Sequence, residues 1–370
     1  MRSFVVSSVG VPAFIIGLLG PLAPVAPTSY LISSAMAAEE TLVPAAATDS
    51  SPREALRKEL FADALATPSC RTLDIGPKGG LLKAAPDLDA FIKKILKGLQ
   101  SSDPGLLAPL FHKRLRVRES LLREQFTGFA QTYQKPLDFS VLKAWAFNTV
   151  DGSVAGFPCM EGLEAFPLYG YPLQIGLWVQ VMGQLELGRI YIPIVPLEGA
   201  WWIGGFHTQQ WTHNGKDFTV WLEAAQKSAG SGAPEVTWVL YDISTKLLNG
   251  GGLIKFPALE YIQSIQSKVM SKSTFDQSIG GLAKNLKPVY SASILTEDGA
   301  GILVRMATPR DLSLPEVTGT CEDLARSMIA KKWNNGLAGI KCTYVLPKED
   351  PSKEGVLGGI YLSFAKVKLK

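Results

Sequence analysis

The feature that most constrains this chain is a change of hydrophobic period between Tyr133 and Val141. Before it, apolar residues recur at helical spacing. Leu88, Phe91, Ile92, Ile95, Leu96 and Leu99 form one stripe, with Lys93, Lys94 and Lys97 opposite, as in a helix with one buried face. Asp87 stands where the N-cap of that helix belongs. Ser102-Asp103-Pro104 predicts a restart into a short helix carrying Leu106, Leu107, Leu110 and Phe111. Leu121, Leu122, Phe126, Phe129 and Ala130 predict a third helix from Glu119 to Tyr133, closed by Pro136. Then the period falls to two. Val141–Phe147 reads as a strand, and Leu173, Ile175, Leu177, Val179 and Val181 alternate along another. Arg189–Val195 and Ala200–Trp211 supply two more, separated by turns at Gly188 and at Pro196–Gly199. Strands joined this closely pair antiparallel.

The flanking segments have their own patterns. Ser51-Pro52 followed by Leu56, Leu60 and Ala64 predicts a helix near 52–66, ended by Pro68 and the loop Gly76–Gly80. Beyond Asn214-Gly215 the helical period returns. Asp217 caps a helix with Phe218, Trp221, Leu222 and Ala225, and Ser228–Pro234 is a linker. Val236, Val239, Leu240, Ile243 and Leu247 make a second stripe, stopped by Gly250–Gly252, and Leu259, Ile262, Ile265 and Val269 a third. Val289–Leu295 and Gly301–Ala307 flank the hairpin signal Thr296–Ala300. A helix over about 322–333 follows, with Leu324, Ala325, Met328 and Ile329 inward, then a second hairpin from Ile340–Leu346 and Val356–Phe364.

Three helices followed by an antiparallel, aromatic-rich sheet resemble the NTF2-like (SnoaL-like) superfamily. The residues that carry the resemblance are Leu88–Gln100, Asp103–Phe111, Glu119–Tyr133 and the closing Ala200-Trp201-Trp202-Ile203-Gly204-Gly205-Phe206, together about residues 86–213. The resemblance implies a cone, with helices packed into a curved sheet around a pocket. It does not imply the occupant, because members include enzymes, adaptors and domains without a ligand. The expected fold class is α+β. The expected organisation is a signal peptide over 1–37, a leader and N-terminal helix over 38–85, the NTF2-like domain over 86–213, a helical connector over 214–285 and a C-terminal β-β-α-β-β domain over 286–370.

Arg2 is the sole charge before Glu39, and an apolar run through Leu18-Leu19 leads to the small-residue exit Ala35-Met36-Ala37-Ala38. This order reads as a secretory signal peptide, cleaved after Ala37 or Ala38. Gly10, Pro12, Gly17, Gly20 and Pro21 break the run, leaving it short of a span of ~20 residues. The expectation is export to the periplasm or medium, with no transmembrane segment in the mature chain. In an oxidising compartment thiols pair. Four Cys allow three connectivities. Cys70 with Cys159 and Cys321 with Cys342 keep each bridge inside one predicted domain; four reduced, buried thiols are the alternative.

Composition and motif searches mostly exclude. With 46% apolar and 19% charged residues the chain can build cores, and a formal charge of +4 marks no dedicated nucleic-acid binder. His112, His207 and His213 are its three histidines, and no C-x-x-C occurs, so neither a metal site nor a cofactor is expected. Gly152-Ser153-Val154-Ala155-Gly156 misses the G-x-S-x-G elbow by one position, and Gly76-x-x-Gly79-Gly80 lacks the Lys-Ser/Thr of a phosphate loop. Glu161 and Glu164 lie close only in a Gly/Pro-rich loop. Lys113–Arg118 reads as a solvated basic face rather than a polyanion site.

Two groupings remain. His207 is a weak candidate general base, with Tyr191, Asp217, Asp151, Glu161 or Glu164 as partners. Trp145, Trp178, Tyr191, Trp202 and Phe206 are candidates to line a pocket for a flat or apolar ligand. Together these give a leading expectation of an exported, non-catalytic protein of the bacterial cell envelope, binding a small apolar ligand or an envelope protein. The alternatives are a small hydrolase or isomerase with a His/acid pair, and a scaffold whose cone is filled and whose function lies on 289–366.

Overall fold

The computed structural model describes residues 52–61, 67–73, 86–115, 117–149, 157–160, 163–165, 168, 171–184, 186–249, 254–283, 288–308, 314–345 and 358–367. The fold is α+β, and it divides into two compact units. One is built from the described residues through Gly215 together with those of Asn249–Pro257; the other from Lys216–Leu248 and those from Ala258 onward. The signal-peptide reading of 1–37 and the loops holding Gly76–Gly80, Gly152–Gly156 and Gly250–Gly252 lie outside the described residues.

In the N-terminal unit, α1 (Pro52–Leu60) and β1 (Ser69–Leu73) precede α2 (Pro86–Ser101), the single-turn α3 (Pro104–Leu107) and α4 (Glu119–Tyr133). The main strands are β2 (Asp138–Asn148), β5 (Leu173–Met182), β6 (Leu187–Leu197), β7 (Ala200–Ile203) and β8 (His207–Gln210); β3 (Phe157–Met160), β4 (Leu163–Ala165) and β9 (Ile254–Lys255) form a separate small sheet. The main sheet runs β1-β2-β5-β6-β7, with β8 also on β6, and every pairing is antiparallel. β1, β3, β4 and β9 have no counterpart among the predicted elements, and the predicted strand 200–211 is two strands, separated by Gly204-Gly205-Phe206.

Caps and periods explain these elements. Asp103 caps α3, its Oδ1 accepting from the Gly105 amide at 2.8 Å. Asp87 is not a cap. It lies inside the first turn of α2, where a carboxylate suits the helix dipole, and accepts from Trp201 Nε1 at 2.8 Å. Leu88, Ile92, Ile95 and Leu99 of α2 and Leu122, Phe126, Phe129 and Tyr133 of α4 are buried against Ile175, Leu177, Val179, Ile190, Ile192 and Ile194 of the sheet. Each such side chain contributes about 1.5–3 kcal/mol when taken out of water. The helix-covered face is therefore a buried core of aliphatic side chains and rings.

In the second unit, α5 (Phe218–Ser228), α6 (Pro234–Leu248), α7 (Pro257–Val269) and α8 (Lys272–Leu282) precede β10 (Pro288–Thr296), β11 (Gly299–Ala307), α9 (Leu314–Ala330), β12 (Gly339–Val345) and β13 (Gly358–Ser363). The helices expected as a connector thus share a unit with the C-terminal strands. The sheet order is β10-β11-β12-β13, antiparallel at both edges and parallel between β11 and β12. A parallel pair needs a crossover, which α9 supplies.

Both expected disulfides are present. Cys70 of β1 joins Cys159 of β3, with Cα atoms 5.2 Å apart. Cys321 of α9 joins Cys342 of β12, with Cα atoms 6.0 Å apart.

Candidate functional site

Register decides which rings meet. Opposite residues in a ladder share a face. Trp145 pairs with Gly176, Trp178 with Tyr191 and Tyr191 with His207. These side chains stand on the face away from the helices, where Trp145, Phe147, Cys159, Trp178, Tyr191 and Ile254 form a second buried cluster. Trp145 lies 5.9 Å from Trp178 and 6.5 Å from Tyr191, centroid to centroid. Phe256 and Trp211 extend the group, at 6.0 and 6.3 Å from Trp178. The Arg189 guanidinium stands 4.2 Å from the Trp178 ring centre and 3.1 Å from that of Trp211, a cation over two π faces. The strap β3-β4-β9 brings Cys159 and Ile254 into this cluster, and the Cys70–Cys159 bridge fastens it to β1.

Gly176 makes room for Tyr191. A Cβ at that position would stand 2.6 Å from Tyr191 Oη and 3.0 Å from Phe147 Cε2. The tyrosine ring therefore lies across the glycine.

Three groups able to hydrogen-bond enter this apolar face. The Trp145 side chain is 1% exposed, and its indole N–H has no acceptor among the described residues. Burial pushes the Tyr191 hydroxyl well above the usual tyrosine range. Burial also lowers His207 from 6.5 to about 4, so its ring is neutral at pH 7. Desolvation is the cause of that shift; a neighbouring carboxylate acts in the opposite direction.

The structure thus gathers Trp145, Trp178, Tyr191 and His207 and separates the other candidates. Phe206 belongs to the helix-side core, its ring 6.4 Å from those of Phe111 and Phe129. Trp202 is half-buried on β7, donates to the Leu197 carbonyl at 2.9 Å and meets the edge of His112 at 5.2 Å. Asp217 caps α5 in the second unit, its Oδ1 accepting from the Thr219 amide at 3.0 Å. Trp221 and Trp238 also belong to the second unit, and Trp238 stacks on Phe275 at 4.3 Å. Asp151, Glu161 and the Glu164 side chain lie outside what is described. His213, beside the Asn214-Gly215 turn, is buried, its Nδ1 3.3 Å from Gln210 Nε2. Exposed Lys113 faces Glu198 at 3.4 Å, as a solvated basic segment does. Among the described residues no group of three or more His, Cys, Asp or Glu can hold a metal ion.

Sequence reasoning missed Arg189 between its two rings. It also missed Glu186, a buried carboxylate that accepts from Thr212 Oγ1 at 2.7 Å and from the Asn214 amide. For Arg189 the signal was parity. It precedes Tyr191 by two on a strand, so both side chains take one face.

No protein-family model matches the chain, and no curated protein does. Among solved structures it is similar to an uncharacterized protein with a cystatin-like fold from Caulobacter vibrioides, at 13% identity, covering 34% of this chain and 88% of that one, with a TM-score of 0.21.

Proposed function

We propose that this is an exported, non-catalytic binding protein of the bacterial cell envelope. Its ligand would be a flat, apolar molecule with a hydrogen-bond acceptor, taken at the aromatic face of the N-terminal unit. The observation that carries the reading is the Trp145 indole N–H. A buried donor without an acceptor costs about 1–3 kcal/mol, and a ligand carbonyl inserted among these rings recovers it. Trp178, Tyr191 and Phe256 supply apolar area around it.

Two disulfides support an oxidising compartment, and among the described residues no helix is long and apolar enough to cross a membrane. With the N-terminal pattern of residues 1–37, these support export. Helices on an antiparallel meander support the NTF2-like reading of 86–213, with one difference. That resemblance places a pocket on the helix side; the ligand face proposed is the opposite one, because the Trp145 donor lies there.

The hydrolase or isomerase reading has less support. A histidine at about 4 is a poor base at neutral pH, and Asp217 is occupied as a helix cap. The test is tryptophan quenching by coumarin, a flat carbonyl compound. Saturable quenching in the wild type is expected, weakened about three- to tenfold by Trp145→Phe. Absence of saturable quenching favours the scaffold reading instead.

A further inference from the structure

The aromatic face is closed. Trp145, Trp178 and Tyr191 are 1%, 6% and 4% exposed, so a ligand reaches the Trp145 indole N–H only when something covering it moves. Three side chains from outside the main sheet join this cluster: Cys159 of β3, Ile254 of β9, and Phe256, just past the end of β9. The Phe256 ring stands 6.0 Å from Trp178 and 5.7 Å from Trp211, centre to centre.

These covering groups are not fastened equally. Cys159 is bonded through its sulfur to Cys70, and β1, which carries Cys70, pairs along its five residues with β2. That side of the cover moves only with the main sheet. β9 is two residues long, and among the described residues its ladder partner is β4, with Glu164 opposite Lys255 and Ala165 opposite Ile254. No cysteine lies in 254–256 to pin it. Side chains alternate along an extended segment, so Ile254 and Phe256 turn to the rings together and Lys255 turns away. Two apolar side chains and one short ladder hold this side down. A segment with few buried apolar groups and a short ladder opens at far lower cost than a central sheet.

We propose that Ile254 and Phe256 form the gate of this face. They lift from the rings to admit the ligand, whose flat body takes their place over Trp178, while Cys159 stays as the fixed post. The ligand's entry rests on the binding function proposed above; the closed cover and its uneven fastening do not.

The test is hydrogen exchange of the full, oxidised chain without ligand, read on the Trp145 indole N–H and on the backbone amides of β5. In the wild type the indole should be less protected than the β5 amides, and low urea should speed the amides but not the indole. Ile254→Ala should speed indole exchange about tenfold or more and Phe256→Leu about threefold, with the β5 amides unchanged. Coumarin should associate faster with both variants, by similar factors. The proposal is overturned if the wild-type indole and amides respond to urea alike, if neither variant speeds the indole, or if the amides accelerate together with it. Exchange that behaves as expected, without saturable coumarin binding, upholds the gate and removes the ligand reading. Saturable coumarin binding with indole exchange untouched by either variant does the reverse.

Discussion

Replacing Gly176 with alanine tests the aromatic face at its tightest point. On an ordinary strand the change gains about 0.5–1 kcal/mol, because alanine loses less backbone freedom on folding. Here the new methyl would fall 2.6 Å from Tyr191 Oη, 2.9 Å from Tyr191 Cε2 and 3.0 Å from Phe147 Cε2. Both rings are buried, Phe147 fully, so neither can turn aside into solvent. Overpacking of this kind costs about 1–3 kcal/mol, and the expected net effect is a loss of stability. Urea unfolding followed by far-ultraviolet circular dichroism reads it directly. Tyr191→Ala removes the obstructing ring, so Gly176→Ala should cost less in that background than in the wild type, a coupling of about 1 kcal/mol or more. If Gly176→Ala is neutral or stabilising, or if the two changes add independently, the tyrosine does not lie across the glycine and the arrangement of this face is wrong.

Three further outcomes follow from the same geometry. Unfolded His207 titrates near 6.5 and the folded group near 4, so below 6.5 the unfolded chain binds a proton that the folded one does not. Wild-type stability should therefore fall by about 3 kcal/mol more than that of His207→Gln as the pH drops from 6.5 to 4; parallel pH profiles would refute the burial of this ring. The Cys70–Cys159 bridge spans a sequence separation of 89 and Cys321–Cys342 one of 21, so chain entropy assigns about 4.6 and 3.3 kcal/mol. Denaturant midpoints of the paired Cys→Ser variants should follow that order, and the reverse order would contradict it. Trp145→Phe should leave the thermal midpoint unchanged or higher, because it deletes an unpaired buried donor while keeping a ring; a drop of several degrees would mean that the N–H is already satisfied.

Much of the fold was legible in periodicity. The helical stripe from Leu88 to Leu99 and the Leu173–Val181 alternation each name their inward residues; Leu88, Ile92, Ile95, Leu99 and all five strand residues are buried, and Phe91 and Leu96 are half-buried against them. The Thr296–Ala300 turn and both disulfide pairings were also readable. Which face the rings take is only partly legible. Trp178 is out of phase with Leu173, Ile175, Leu177, Val179 and Val181, so it must take the other face. On β2 the phase is hidden by an irregularity between Val141 and Lys143. A bulge of one residue shifts parity along a strand, so Val141 and Ala144 share the helix face while Trp145 turns away. The small strands β1, β3 and β4 are three to five residues long, too short for a period, and what draws them to the aromatic face is a contact from distant sequence. The unsatisfied Trp145 donor is a property of packing and has no sequence signature.

In the proposed function, Trp145 offers its N–H to a flat ligand on the face away from the helices. Indole-labelled nitrogen–proton spectra of the full chain, titrated with coumarin, test it most directly. A saturable downfield shift of the Trp145 indole proton is expected, with Trp238 unmoved. A titration that leaves Trp145 in place while another indole shifts contradicts it.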